Sequence, residues 1–72
     1  MKDIKLTRRE YDVLKLACFD RLETAVKLGI HPLTVNVYRK DLYNKLGASN
    51  ICEAVIKAIR LELISPYNFE LK

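Results

Sequence analysis

A glycine and a proline three residues apart constrain the fold of this chain more than any other feature. Gly29 follows a short segment with helical apolar spacing, and Pro32 opens a longer one. Glycine favours the positive φ found just past a helix, and proline suits a first helical position, where its missing N–H would have no partner anyway. The pair therefore predicts two helices, roughly 21–28 and 32–46, joined by a tight turn with Ile30 packed beneath it.

The longer of these two helices has unlike faces. Its apolar positions recur at helical spacing and predict a stripe buried on the core, formed by Val35, Tyr38, Leu42 and Leu46, with Gly47 as the stop. The opposite face mixes amide, basic and apolar side chains, namely Leu33, Asn36, Val37, Lys40 and Asn44. Arg39, Tyr43 and Lys45 lie beside that face.

Capping patterns predict one further helix on each side of this pair. Thr7 and Glu10 have the T-x-x-E spacing of a capping box, and the helix that they start should end near Phe19 or Asp20. Asn50 opens a similar pattern, and the last helix should run from it to the next proline.

The composition supports a single all-α domain. Half of the 72 residues are hydrophobic, glycine and proline number two each, and no Asn-Gly or Asp-Gly hairpin signal is present. We therefore expect one domain over residues 1–72, a four-helix, bundle-like fold without winged elements, with its core in 6–64 and a loosely ordered C-terminal tail at 65–72. No apolar run reaches the roughly 20 residues of a membrane span, and the start lacks a signal-peptide pattern.

The residue types offer no foothold for catalysis. The sequence shows no paired carboxylates, nucleophile–base pair or phosphate-cradling glycine loop, so we expect neither an enzyme nor a cofactor. Cys18 and Cys52 lie in apolar helical patterns, which favours reduced, buried thiols of a cytosolic protein over a disulfide. Together with His31 they are too few and too scattered for a structural zinc site, so no metal is expected.

A tight glycine turn followed by a helix that is apolar beneath and basic above is typical of a helix-turn-helix motif. The helix predicted over 32–46, the third in chain order, is then expected to be the recognition helix, which enters the major groove of DNA. The helices are numbered 1 to 4 in chain order. In that groove lysine can donate to guanine, asparagine can pair with adenine, and a small apolar side chain can touch a thymine methyl group. Basic and hydroxyl side chains beside them, here Thr34, Arg39 and Lys45, can hold phosphates. The net charge of +4 permits such a partner without demanding it.

The chain also resembles the LuxR/GerE-type helix-turn-helix family. The matching motifs, in the family's order and with x for positions that do not count, are LTxRExxVL at 6–14, LGIxxxTV at 28–35, LxxKLGAxN at 42–50 and EAV at 53–55. The resemblance implies a cytoplasmic transcription regulator of bacterial or phage origin that binds double-stranded DNA at the nucleoid. Members usually act as dimers through helix 4. The Met1 start favours a complete chain similar to the free-standing, GerE-like members.

The resemblance also implies roles for individual residues. The family's base-reading positions correspond to Asn36, Val37 and Lys40, and its backbone-contacting positions correspond to Thr34 and Lys45. Arg39 joins the backbone contacts because of its charge. Glu10 corresponds to a structural cap rather than to a DNA contact.

The sequence departs from the family pattern close to the expected interface. The segment that leads into helix 2 is shorter than usual, which predicts a tighter first turn. His31 replaces the usual serine and is a poorer N-cap. Asn36 stands where lysine or arginine is frequent, and Tyr38 stands where histidine is usual. The motifs therefore predict the scaffold but not the base sequence recognised.

Helix 4 has more apolar residues than one small core needs. Ile56, Leu63 and Ile64 can form a dimer surface or contact the C-terminal tail, and we favour a homodimer. A different function is also open, in which the scaffold is a protein-binding module acting on a transcription factor or RNA polymerase. A domain similar to sigma factor region 4 is a weaker form of that alternative. No membrane partner is expected.

Overall fold

A computed structural model describes residues 4–71 of the chain. Four α-helices follow one another, and the bounds are α1 (Arg8–Lys15), α2 (Arg21–Leu28), α3 (Pro32–Leu46) and α4 (Ile51–Arg60), with a turn of 3-10 helix at Pro66–Asn68. No strand occurs within residues 4–71. The expected all-α helix-turn-helix fold is therefore confirmed.

Helix α3 is the central element, because it packs against α1, α2 and α4. The core where these helices meet consists of Val13, Leu14, Leu42, Leu46, Ala54, Ala58 and Ile64. The two alanines come from α4, and such small side chains let neighbouring helices pack closely. Each of the three helices that contact α3 therefore helps to fix its orientation.

Hydrogen-bonded side-chain caps start all four helices. The Glu10 N–H donates to the Thr7 hydroxyl at 3.2 Å and the Thr7 N–H donates to the Glu10 carboxylate at 2.8 Å, which confirms the capping box. Asn50 caps α4 as expected. A second capping box, between Asp20 and Glu23, starts α2 and was not recognised from the sequence.

The first helix ends earlier than the sequence predicted. It stops at Lys15 and not near Phe19 or Asp20. The N–H groups of Leu16, Ala17 and Phe19 donate to carbonyls three residues back, which is a tighter winding than that of an α-helix. This winding lets α2 begin soon after α1, as the short connecting segment required.

The fourth helix also ends early, at Arg60. Glu62 adopts a φ of 59°, and the Leu63 N–H donates to the Ala58 carbonyl at 2.9 Å. This is the Schellman arrangement that terminates many helices. It turns the chain so that Ile64 enters the core with only 4% of its surface exposed.

The C-terminal segment 65–71 packs back on α1, contrary to the expectation of a loosely ordered tail. The Asn68 amide donates to the Tyr11 hydroxyl at 2.9 Å, and the Glu70 N–H donates to the Lys15 carbonyl at 3.0 Å. Phe69 packs against the hydrophobic core. The tail is therefore a structural element of the domain.

Both cysteines are exposed, so the prediction of buried thiols is wrong. Cys18 lies beyond the end of α1 and is no longer on the inward stripe of that helix, and Cys52 lies in the first turn of α4. Among residues 4–71, no three His, Cys, Asp or Glu side chains come together as a group that could hold a metal ion. None of the helices described has both the length and the hydropathy that crossing a membrane would require.

Candidate nucleic-acid interface

The turn between α2 and α3 depends on a left-handed glycine. Gly29 has a φ of 65°, and the Ile30 N–H donates to the Ala25 carbonyl at 3.0 Å. A Cβ on Gly29 would meet no atom within 4 Å, so the backbone conformation and not crowding makes glycine favourable there. The turn fixes where α3 begins and which of its faces is turned outward.

His31 caps the start of α3, although the sequence marked it as a poor cap. Its Nδ1 accepts a hydrogen bond from the Leu33 N–H at 3.1 Å, and Pro32 occupies the first helical position. The unprotonated ring nitrogen thus replaces the hydroxyl oxygen of the usual serine.

The inward face of α3 agrees with the predicted stripe. Val35, Leu42 and Leu46 are buried, and Tyr38 is half-buried against the core. Tyr38 is therefore a core residue. Because this face packs on the core, the opposite face of the first two turns of α3 points to solvent.

The outward face of α3 contains the three residues predicted to read bases. Asn36, Val37 and Lys40 are exposed and line a shallow depression together with Tyr43. None of the hydrogen bonds and ion pairs found among residues 4–71 uses the side chains of Asn36 or Lys40. The polar groups at this face are therefore available to an external partner.

Arg39, expected to contact the DNA backbone, instead makes a hydrogen bond within this chain. Its Nη2 donates to the Phe19 carbonyl at 3.1 Å, in the tight turn that follows α1. Its Nε is buried without a hydrogen-bond partner among the described residues. Arg39 therefore links α3 to the connection between α1 and α2. No signal in the sequence identifies this contact, because helical periodicity does not say which polar atom a charged side chain beside a buried stripe meets.

Lys45, the other expected cationic backbone contact, also faces protein. Its ammonium donates to the Glu10 carboxylate at 2.6 Å and to the Lys5 carbonyl at 3.1 Å. Glu10 is buried. The third expected backbone contact, Thr34, is half-buried in the first turn of α3.

The electrostatics of Glu10 follow from these contacts. Burial alone raises the pKa of a carboxyl group, but the hydrogen bonds from Lys45 and Thr7 outweigh it and hold the pKa of Glu10 below its ordinary value. The ionised Glu10–Lys45 pair therefore ties the start of α1 to the last turn of α3. Sequence reasoning identified Glu10 as a cap but missed this second role.

The apolar residues predicted for a dimer surface divide between core and solvent. Ile64 is in the core and Leu63 packs against it, so the assignment of Ile64 to a dimer contact is wrong. Ile56 is exposed. It borders an apolar groove between α4, the turn after α1 and the C-terminal segment, lined by Ala17, Cys18, Ile51, Cys52, Val55, Ile56, Ile59, Pro66 and Phe69.

Comparison with known protein families agrees with this geometry. The family model described as "Bacterial regulatory proteins, luxR family" matches residues 5–58, which include all four helices except the last two residues of α4. No curated protein and no solved structure matched the chain.

Proposed function

Because this chain belongs to the luxR family of bacterial regulatory proteins, we propose that it regulates transcription by binding a specific DNA sequence with α3 in the major groove. The family is one of DNA-binding helix-turn-helix regulators and not of enzymes. The observation that carries the proposal is the outward face of α3, where Asn36, Val37 and Lys40 are exposed.

The three residues differ in the base edges that they suit. Lys40 can donate to the O6 and N7 atoms of guanine, and the Asn36 amide can pair with the N6 and N7 atoms of adenine. Val37 can contact a thymine methyl group. In helix-turn-helix domains the N-terminal residues of the recognition helix contact base edges, and Asn36 and Val37 lie in the second turn of α3, with Lys40 one turn further along.

The proposed phosphate contacts are unequal in availability. Thr34 lies in the first turn of α3, where the helix dipole also favours an anion. Two of the three donors of Lys45 already have protein acceptors, and Arg39 donates to the Phe19 carbonyl. We therefore assign a phosphate contact chiefly to Thr34, and to Arg39 and Lys45 only through their remaining donors.

Dimerisation through α4 is the second part of the proposal. Exposed Ile56 and the neighbouring half-buried Val55 and Ile59 offer an apolar surface on this helix. A two-fold dimer would place two copies of α3 on half-sites about 10 bp apart in an inverted repeat.

Two lysines on α3 allow a test of the DNA interface, because their substitutions should affect different properties: one DNA affinity, the other stability. We would measure fluorescence anisotropy with a duplex selected from a random DNA pool, at two salt concentrations, and thermal unfolding of each variant. Lys40→Ala should weaken binding about tenfold or more and leave the unfolding temperature unchanged. Lys45→Ala should lower the unfolding temperature and reduce the salt slope of binding by at most about one.

The wild-type protein must bind the selected duplex tightly and lose affinity steeply as salt rises, because phosphate contacts release counterions. Equal affinity of the wild-type protein and Lys40→Ala would show that the proposed face is wrong. Absence of salt-sensitive binding to any selected duplex would refute the function itself.

A second candidate function is supported by exposed apolar residues on α2. Leu22 and Val26 lie one helical turn apart and are both exposed, in a place that base reading does not need. Such a pair suits a protein partner, for example RNA polymerase or another regulator. A pull-down without DNA should then recover a stoichiometric partner with the wild-type chain and lose it with Val26→Asp.

A further inference from the structure

One exposed leucine on α3 has no role in the proposed set of DNA contacts. Leu33 is the second residue of α3 and is 63% exposed. Val37, one turn further along the same helix, is 56% exposed. A single exposed leucine is ordinary. What is informative is that this pair forms an apolar strip in the two helical turns closest to the bases.

We propose that Leu33 is a further specificity-determining residue, which together with Val37 reads pyrimidine 5-methyl groups in the major groove. The inference rests on the proposed function. The 5-methyl group of thymine projects into the major groove, where apolar side chains contact it. A 5-methylcytosine presents the same group at the same ring position.

The spacing of the pair suits two methyl groups on nearby base pairs. Side chains four residues apart on a helix have Cβ atoms about 5–6 Å apart. Base pairs follow one another at about 3.4 Å along the duplex axis. Leu33 and Val37 can therefore contact methyl groups one or two base steps apart, with Asn36 and Lys40 donating hydrogen bonds beside them.

The chemistry of the site disfavours a phosphate role for Leu33. Its side chain has no hydrogen-bond donor, so beside a phosphate it would displace water without replacing the lost hydrogen bonds. The first turn of α3 contains no acidic residue that would repel the duplex. A methyl group is the apolar feature of a base edge that this side chain can cover.

The experiment uses the full chain and a duplex selected from a random pool. In one series each thymine of the half-site is replaced in turn by deoxyuridine, which removes only the methyl group. In a second series each cytosine is replaced by 5-methylcytosine, which adds one. Each buried methyl group should change Kd by about fourfold, as a loss of affinity in the first series or a gain in the second. The series that responds identifies the natural source of the methyl group.

Leu33→Ala should abolish the methyl effect at one position and retain it at the position read by Val37. The matched control is Leu61→Ala, which truncates another exposed leucine (49%) at the end of α4 and should retain both effects. Equal affinities with and without the methyl groups, or a full set of methyl effects in Leu33→Ala, would overturn the inference. Salt-sensitive binding without methyl dependence would overturn this inference alone, whereas failure to bind DNA would overturn the proposed function as well.

Discussion

Glu62 has the only positive φ among the non-glycine residues at positions 4–71, and it is where α4 ends. The left-handed conformation costs an L-residue roughly 1–2 kcal/mol because its Cβ approaches the following carbonyl. The hydrogen bond from Leu63 to Ala58 and the burial of Ile64 require this conformation. Packing energy therefore offsets a local backbone cost at this residue.

Glu62→Gly should raise the free energy of unfolding by up to about 1 kcal/mol, because glycine adopts this conformation without steric cost. Thermal unfolding with far-ultraviolet circular dichroism measures the change. Glu62→Gln removes the charge but keeps the Cβ, so it should leave the unfolding temperature unchanged. A lower unfolding temperature for Glu62→Gly would contradict the account of the α4 terminus.

The ion pair between Glu10 and Lys45 is a second contact whose contribution to stability can be tested at a single residue. The pKa of Glu10 is lowered in the folded protein, so the unfolded chain binds a proton at this group more readily. The pair therefore stabilises the fold at neutral pH. That stability is lost as pH falls through the lowered pKa.

Glu10→Gln should lower the free energy of unfolding at about pH 7 by about 1–3 kcal/mol and reduce its decline toward about pH 3. Urea unfolding across that range measures both effects. Glu62→Gln serves as the control, because it neutralises an exposed carboxylate and should keep the wild-type pH profile. A Glu10→Gln profile parallel to that of the wild type would contradict the assigned linkage.

At the scale of elements, local signals determined which helix ends could be predicted from the sequence. Gly29, Pro32 and Gly47 act through their own backbone preferences, and the bounds predicted from them for α2 and α3 agree with the structure. The ends of α1 and α4 were predicted wrongly, because distant contacts decide them. Phe19 is held by Arg39 across the fold, and Ile64 is drawn into the core.

The residues of the candidate site also differ in whether the sequence alone predicts their surroundings. Exposure of Asn36, Val37 and Lys40 followed from helical periodicity alone. The protein contacts of Arg39 and Lys45 did not, because charged residues beside a buried stripe can face either solvent or a polar atom of another element. Only the three-dimensional arrangement brings Glu10 and the Phe19 carbonyl to them.

The C-terminal segment gives a test at this scale. Phe69→Ala should lower the free energy of unfolding by about 1–3 kcal/mol, because Phe69 packs against the core. Tyr67→Ala, two residues earlier in the same segment but exposed, should have no effect. Thermal unfolding of the two variants measures the difference, and equal unfolding temperatures would mean that the tail does not stabilise the domain.

The stability of the whole molecule depends on one small core. A chain of this size buries only part of its apolar surface. Domains of about 70 residues have little stability to spare, since the free energy of unfolding is roughly 0.05–0.15 kcal/mol per residue. Further apolar surface remains exposed at the groove beside Ile56. Burial of this groove between two copies, as proposed, would stabilise both and couple folding to dimerisation.

Ile56→Glu should convert the proposed dimer to a monomer, because it would place two carboxylates at a two-fold apolar interface. Sedimentation equilibrium measures the mass, and anisotropy compares an inverted repeat with a single half-site. The variant should lose the preference for the inverted repeat while still binding the half-site. Val26→Glu adds the same charge on α2 and should remain dimeric. A wild-type chain that stays monomeric on an inverted repeat would refute the dimer.

The separation of α3 into a buried face and an outward face affects how this protein can evolve. Folding depends on Val35, Leu42 and Leu46, and on the links made by Arg39 and Lys45. The outward side chains take no part in those contacts, so under the proposed function mutations there would alter the preferred operator without loss of the fold. If α3 reads DNA as proposed, variation in target choice is separate from selection for stability, and a gene for this chain would acquire a new set of targets by a few codon changes.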